Sequence, residues 1–494
     1  MKKDIYRARI GESLDKKVLE YLSSLKDDYW IAKEDIIGTE VHDIMLFEQN
    51  ILNKKEIKDI LGALEVLKRE LIEGKLKLAG DFEDIHPLVE SYVIDKVGIE
   101  SGGKIHTGRS RNDQVSVDLR LKIRKELNVL SQMIFDLSEV LIKLSEQTTE
   151  TYMPLYTHLQ KAQLGVFSHY INYYLSQILR VGERIEEIYN RVNKNPLGAC
   201  AIGGTSININ RDRTTELLGF RGLIHNSIDA ISSRDYIIET LMILSLLATH
   251  FSRISEDLMI WSTKEFNFID LDSKFCSVSS VMPQKKNPDT LELSRAKASI
   301  IISNSSKATL IVKGTPSGYL RDFQELKPIL MESFNLTKSI IHIFTGIFST
   351  IKINKDKMLE QVNDSYIFAL DLAEILVNDY GVPFRAAHTI LGRLISKSAT
   401  PEDLFDHKKI EKLLKEIWGK DISISPDLIE ELKDNKLTLN KRKSKGSPSH
   451  KEVVQNLDLL RKKKKQLYNK YQLRVENIKK AEALRERIVK KILS

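Results

Sequence analysis

Ile123-Arg-Lys-Glu-Leu127-Asn-Val-Leu130-Ser-Gln-Met-Ile134-Phe-Asp-Leu137-Ser-Glu-Val-Leu141-Ile-Lys-Leu144 is the stretch that decides the fold. Ile123, Leu127, Leu130, Ile134, Leu137, Leu141 and Leu144 follow one another at alternating steps of four and three. That spacing lays a single apolar stripe along one long helix. Ile237, Leu241, Leu244, Leu247, Phe251, Ile254, Leu258 and Trp261 repeat the pattern. Further helical runs are predicted over 160–193, 289–313 and 324–352, with a long charged one over 451–494. Strand-like alternation is rare, so the chain is predicted to be all-α. Helices this long suit a bundle whose stripes pack on each other or on another subunit.

The punctuation of the chain divides it into three predicted domains. Residues 1–107 form a mixed helical domain, 108–355 a central bundle of long helices, and 356–494 a helical domain with a basic helical tail. The net charge of +8 is concentrated in that tail, at Lys441-Arg-Lys-Ser-Lys445 and Arg461-Lys-Lys-Lys-Lys465. A solvated helix face is the expected reading, and no nucleic-acid partner is predicted. Hydrophobic content of 42% and charged content of 29% place the chain among ordinary soluble globular proteins. The apolar runs are short and broken by charge, so no membrane span is expected. Met1-Lys-Lys-Asp-Ile-Tyr-Arg-Ala-Arg9 lacks the apolar core of a signal peptide, which makes a cytoplasmic location the expectation. Two cysteines, Cys200 and Cys276, are too few for a disulfide framework or a cysteine-rich metal site.

Three polar clusters interrupt the apolar pattern. His106-Thr-Gly-Arg-Ser-Arg-Asn-Asp-Gln114 carries two arginines, a carboxamide and hydroxyls, a set suited to carboxylates. Ser110, Asn112 or Asp113 is also placed to cap a helix starting near Val115. Thr157-His158 sets a histidine beside a hydroxyl at the predicted head of a helix, a candidate general acid or base. Ser279-Ser-Val-Met-Pro-Gln-Lys-Lys-Asn-Pro288 lies in a loop between two apolar helices. Its Lys285 and Asn287 are suited to stabilising an anion that develops during reaction, and Lys286 either joins them or faces water. No Gly-x-Ser-x-Gly elbow, zinc-binding spacing, P-loop or dinucleotide fingerprint occurs.

On these residues the chain resembles the fumarase/aspartase superfamily. The run Ser279 to Pro288 looks like its Gly-Ser-Ser-x-Met-Pro-x-Lys-x-Asn-Pro signature, with Val278 in place of the first glycine. Within the superfamily, His106 to Gln114 resembles the argininosuccinate lyases and the delta-crystallins derived from them. Gly204-Thr-Ser206, Asn226 to Ala230, Tyr319 to Lys327 and Gly381 to Arg385 support this over roughly residues 20 to 455. Leu320 and Leu326 stand where polar residues are expected.

The resemblance implies that Ser279 on a mobile loop takes the β-proton. It implies His158 as the partner acid or base, with Glu292 orienting it. Lys285 and Asn287 match groups that hold the succinyl carboxylates. Ser24, Asp28, Arg111, Asn112, Thr157, Tyr319, Gln324 and Lys327 match substrate-binding positions. The implied reaction is β-elimination of argininosuccinate to arginine and fumarate, with no metal and no organic cofactor. The implied assembly is a homotetramer with a helical core, its active sites shared between chains. The rivals are another lyase of the superfamily, such as adenylosuccinate lyase, and a crystallin-like structural protein on the same scaffold. The Arg109–Gln114 run and the Tyr319/Gln324 pair argue against the first, and intact Ser279, His158 and Lys285 against the second.

Overall fold

The stripe from Ile123 to Leu144 is buried along its whole length, no member being more than 7% exposed. It lies on a 37-residue helix, Arg111–Gln147, in a computed structural model that describes residues 14–76 and 82–494. The Met1–Arg9 stretch read above lies outside the described residues. Ser110 is the N-cap and forms a capping box with Asp113. The helix therefore begins four residues earlier than its apolar periodicity indicates, and such a cap stabilises a helix by about 1 kcal/mol.

Four more long helices complete the bundle: Phe167–Val192, Asp235–Ser262, Asp289–Val312 and Leu326–Thr350. Cross-links set their directions. Arg120 donates to the carbonyl of Arg191, so Phe167–Val192 runs antiparallel to the first helix. Ser116 donates to the carbonyl of Ala230, which seats the start of Asp235–Ser262 beside the start of the first helix. Lys338 meets Glu126 at 2.8 Å, midway along two parallel helices. The segment Asp235–Ser262 is apolar enough to match a membrane span, but half of its most apolar window is buried inside the protein. It is a core helix of the bundle.

The prediction of one helix over 160–193 needs correction. Tyr152–Thr157 and Gln160–Val166 pair as an antiparallel hairpin, and the helix starts only at Phe167. Gly165 lies directly against Leu155 across that hairpin, where a Cβ would not fit. Two further two-stranded pairings are present, Ile269–Asp270 with Lys352–Ile353 and Ser277–Val278 with Lys286–Asn287. These short ribbons leave the fold all-α.

Helices Ala32–Glu48, Lys54–Ile72 and Ile85–Val97 enclose a second apolar core. Residues from Leu372 to Leu432 enclose a third. The 44-residue helix His450–Leu493 joins the first two. Its Leu457, Leu460 and Leu467 enter the bundle core, while Val489 and Ile492 enter the N-terminal one. Its basic run is not a merely solvated face. Lys463 pairs with Glu183 at 2.7 Å, Arg474 with Glu186 at 2.7 Å, Arg461 with Glu146 and Lys464 with Glu139. Much of the basic excess is spent against carboxylates of the two bundle helices beneath.

Candidate active site

The predicted site residues fall at the two opposite ends of the bundle. At the end where Arg111–Gln147 begins, four segments converge. Lys327 donates to Ser24 Oγ at 3.0 Å and pairs with the Asp28 carboxylate. Ser24 Oγ donates to Asp28 at 2.9 Å, and the Ile85 N–H donates to the same carboxylate at 3.1 Å. Ser24, Asp28 and Lys327 are all buried. Gln324 Nε2 and Arg321 both donate to the Leu22 carbonyl, at 3.2 and 3.1 Å. Arg111 meets Glu83 at 3.2 Å and Asp84 at 3.0 Å, and Arg321 meets the same Glu83 oxygen. Asn112 donates to the carbonyl of Ala201 at 2.9 Å. Burial pushes the Tyr319 phenol above its ordinary range, against the opposing pull of Arg234, Arg111 and Arg321 nearby.

Two residues of the first cluster do other work. Arg109, read as a carboxylate-binding cation, is buried and donates to Thr39 Oγ1 at 3.0 Å, beneath the site rather than in it. Asp113 accepts from the Gly198 and Cys200 N–H groups at 2.9 and 2.8 Å, which ties the 198–201 loop to the helix start.

At the other end, His158 and Leu159 form the tip of the hairpin, both with left-handed backbone, φ 54° and 58°. Thr157 and His158 are exposed there. The expected position at a helix head is thus corrected: the helix begins nine residues after His158. The 279–285 loop is closed at its base by the Ser277–Val278 and Lys286–Asn287 pairing. Asn287 donates to Ser277 Oγ at 3.4 Å. Lys286 is exposed, the second of the two roles expected of it, and it also pairs with Asp270 at 2.7 Å, which fastens the stem. Ser279 Oγ accepts the N–H groups of Val281 and Met282 at 3.2 and 3.0 Å. Two such donors favour the ionised oxygen over the neutral one. Lys285 and Glu292 are exposed. Burial raises the Cys276 thiol, so it is a poor nucleophile.

Ser24, Asp28, Arg111, Asn112, Tyr319, Gln324 and Lys327 therefore share one end, and Thr157, His158, Ser279, Lys285, Asn287 and Glu292 the other. Among the described residues, no hydrogen bond or ion pair joins the two sets, nor His158 to Glu292. A helix of 37 residues is about 55 Å long at 1.5 Å per residue. Sequence reading missed Glu83, Asp84 and Arg321. Arg321 sits inside the quoted Tyr319–Lys327 stretch, but nothing local marks Glu83 as its partner. Of the departures, Val278 is 79% exposed in the loop stem, and Leu326 is fully buried in the bundle core.

A family model described as lyase matches residues 8–303, and one described as argininosuccinate lyase C-terminal matches residues 366–433. An argininosuccinate lyase of Nitrosopumilus maritimus is 42% identical over 91% of this chain and 92% of its own length. One from Carboxydothermus hydrogenoformans is 38% identical over 92% and 98%. Among solved structures, an EDDS lyase in complex with formate superposes with a TM-score of 0.84 at 26% identity, covering 94% of this chain and 92% of that one. A class II fumarase from Schistosoma mansoni gives 0.68 at 17% identity, covering 84% and 91%, a likeness of fold.

Proposed function

The chain belongs to the argininosuccinate lyase family of the fumarase/aspartase superfamily, and on that premise we propose that its catalytic centre is assembled from opposite ends of bundles in different chains. Its activity is that of a carbon–nitrogen lyase acting on argininosuccinate. The observation that carries the shared site is the separation just described. Seven substrate-binding positions sit a helix length from Thr157 and the five catalytic or carboxylate-binding positions, so one chain cannot close them on one small molecule.

Elimination removes a proton from the carbon beside a succinyl carboxylate and breaks the bond to the guanidino nitrogen, leaving fumarate and arginine. Ser279 is the base. A serine hydroxyl is a poor base unless its alkoxide is stabilised, and the Val281 and Met282 N–H groups supply that stabilisation from within the loop. Lys285 and Asn287 hold the carboxylate whose charge doubles as the proton leaves. His158 is the partner acid–base group, brought to Glu292 only by assembly. Thr157 contacts substrate beside it. Ser24, Asp28, Arg111, Asn112, Tyr319, Gln324 and Lys327 bind substrate at the other end.

The assembly is a homotetramer with a helical core, acting in the cytoplasm. Exposed apolar side chains on the paired helices Asp235–Ser262 and Asp289–Val312 support it: Met242 at 49%, Leu246 at 42%, Leu293 at 56% and Leu310 at 61% exposure. We also propose the domain division at 107/108 and 355/356. Fumarate release with argininosuccinate, adenylosuccinate, aspartate and malate supplied in turn tests the substrate, and argininosuccinate alone should respond. Sedimentation of the active enzyme tests the assembly. A monomer that turns over argininosuccinate would overturn the shared site.

A further inference from the structure

The hairpin that carries His158 at its tip is only two strands wide, and such a ribbon is marginal on its own. Its hydrogen-bond phase is set at its base, where the Phe167 N–H donates to the Thr151 carbonyl at 2.8 Å. Directly opposed residues alternate between exchanging hydrogen bonds and exchanging none. Counted through the register from that pair, Pro154 and Leu164 oppose each other at a position that exchanges none. The missing N–H of Pro154 therefore costs nothing there, and the Leu164 carbonyl points away from the partner strand. Leu164 is fully buried, so that carbonyl needs a donor. Arg442 supplies it from 278 residues further along the chain, its Nη1 donating to the Leu164 carbonyl at 2.6 Å.

Arg442 is itself locked. Its Nε and Nη2 donate to Asp371 Oδ1 at 3.3 and 3.1 Å, and Nη2 reaches Oδ2 at 3.3 Å. Both side chains are largely buried, at 10% and 7% exposure. Asp371 lies on helix Ala369–Tyr380. Around this tie, Leu164 and Val166 pack with Val362, Phe368 and Leu439 in a small apolar cluster. A second, exposed tie joins Lys161 Nζ to the Asp364 carbonyl at 3.3 Å. The His158 arm is thus braced from the C-terminal part of the chain as well as from the bundle helix that follows it. A general acid or base must meet its proton within hydrogen-bond reach. A displacement of about 1 Å caused from a distance can cost about a hundredfold in rate. Resting on the reading of His158 as the acid–base group, we propose that Arg442, locked by Asp371, is a positioning residue that sets where the His158 tip stands, acting through the Leu164 carbonyl. It touches neither substrate nor reacting atoms, so its loss lowers turnover more than substrate affinity.

Arg442→Lys is the first variant, because it keeps a cation beside Asp371 but loses the planar fork that holds a carboxylate and a carbonyl together. In the assembled enzyme turning over argininosuccinate, kcat is expected to fall about ten- to a hundredfold while KM moves less than about threefold. Amide exchange over 152–166 should quicken while helix Arg111–Gln147 stays protected. Arg442→Gln, which also leaves Asp371 unpaired, should lose more. In a His158→Asn background, Arg442→Lys should change the residual rate less than about twofold, because it acts through that histidine. Should Arg442→Lys fail to fold, Asp371→Asn carries the same test with a smaller loss, since it frees the fork but leaves the Leu164 contact. A merely structural brace would lower the melting temperature and leave kcat per folded enzyme as in wild type. Unchanged kcat, unchanged exchange over 152–166, losses that add to those of His158→Asn, or an effect confined to KM overturns the inference and leaves the reading of His158 standing. A His158→Asn enzyme with near wild-type kcat overturns both.

Discussion

Lys327 and Asp28 form an ion pair in which both side chains are almost wholly buried, at 4% and 0% exposure. They lie 299 residues apart in the sequence, so the pair fastens the start of one bundle helix to the N-terminal domain. Lys327 is also a proposed substrate-binding residue. Its ammonium is satisfied within the chain by Asp28 and Ser24, so a substrate group must compete with both. Removing one member of a buried pair leaves the other charge uncompensated. Asp28→Asn is therefore expected to lower stability by roughly 3–5 kcal/mol in denaturant unfolding. A loss below about 1 kcal/mol, ordinary for a surface site, would show the pair to be dispensable.

His158→Asn should separate chemistry from folding with unusual clarity. The residue is exposed at a hairpin tip with φ 54°, a left-handed conformation that asparagine tolerates better than most residues. We expect kcat to fall by about two orders of magnitude or more, as for loss of a general acid–base group, with the melting temperature unchanged. A melting temperature that drops in step with activity would point to a structural histidine instead.

Ser279→Ala removes the acceptor of two loop N–H groups and the proposed base together. Turnover should be lost while KM moves little, because the hydroxyl acts mainly in the transition state. Ser280, one residue on, is the internal control: Ser280→Ala should keep most activity. The reverse result would shift the assignment by one residue.

The fold was legible where apolar residues repeat at helical spacing, because burial of one stripe fixes one helix. It failed at 160–166, where Lys161, Gln163 and Leu164 carry no period long enough to exclude either element and only the cross-strand fit of Gly165 against Leu155 decides. The site was legible as residue types and only partly as geometry. His158, Ser279 and Lys327 are marked by local chemistry. Arg109 looks identical to Arg111 in sequence, yet one is buried against Thr39 and the other reaches Glu83 and Asp84. The two lie on either side of the Ser110 cap, Arg111 as the first residue of the helix and Arg109 before it. Glu83 was invisible because its partners lie 28 and 238 residues away.

A buried His86–Asp35 pair lies under the same end, with His86 Nδ1 2.8 Å from the carboxylate. Burial pushes the His86 imidazole down, but the Asp35 charge and hydrogen bond outweigh it and raise it above its ordinary value. Its stabilising effect is therefore complete below the unfolded value of about 6.5 and is lost as pH rises through the folded one. Asp35 is shifted the opposite way: burial raises it, His86 overrides, and its contribution is lost only as pH falls into the acid range. The melting-temperature difference between wild type and His86→Gln should thus be larger near pH 6 and shrink toward about pH 9. A difference that is flat or grows across that range would mean the imidazole is neutral in the fold.

Mixing two dead variants tests the shared site most directly. Asn112→Ala disables one end of the bundle and Ser279→Ala the other. Each is expected to be inactive as a homo-oligomer. Dissociated, mixed in equal amounts and reassembled, they form oligomers in which each site draws its two ends from different chains. Half the chains supply an intact Asn112 and the other half an intact Ser279, so about a quarter of the sites should inherit both and recover activity. A site built within one chain predicts none, because every chain carries one lesion. The restored fraction therefore reads the geometry itself. No activity from oligomers verified to be mixed would mean that the two ends, a helix length apart in this chain, do not meet across chains to build the site.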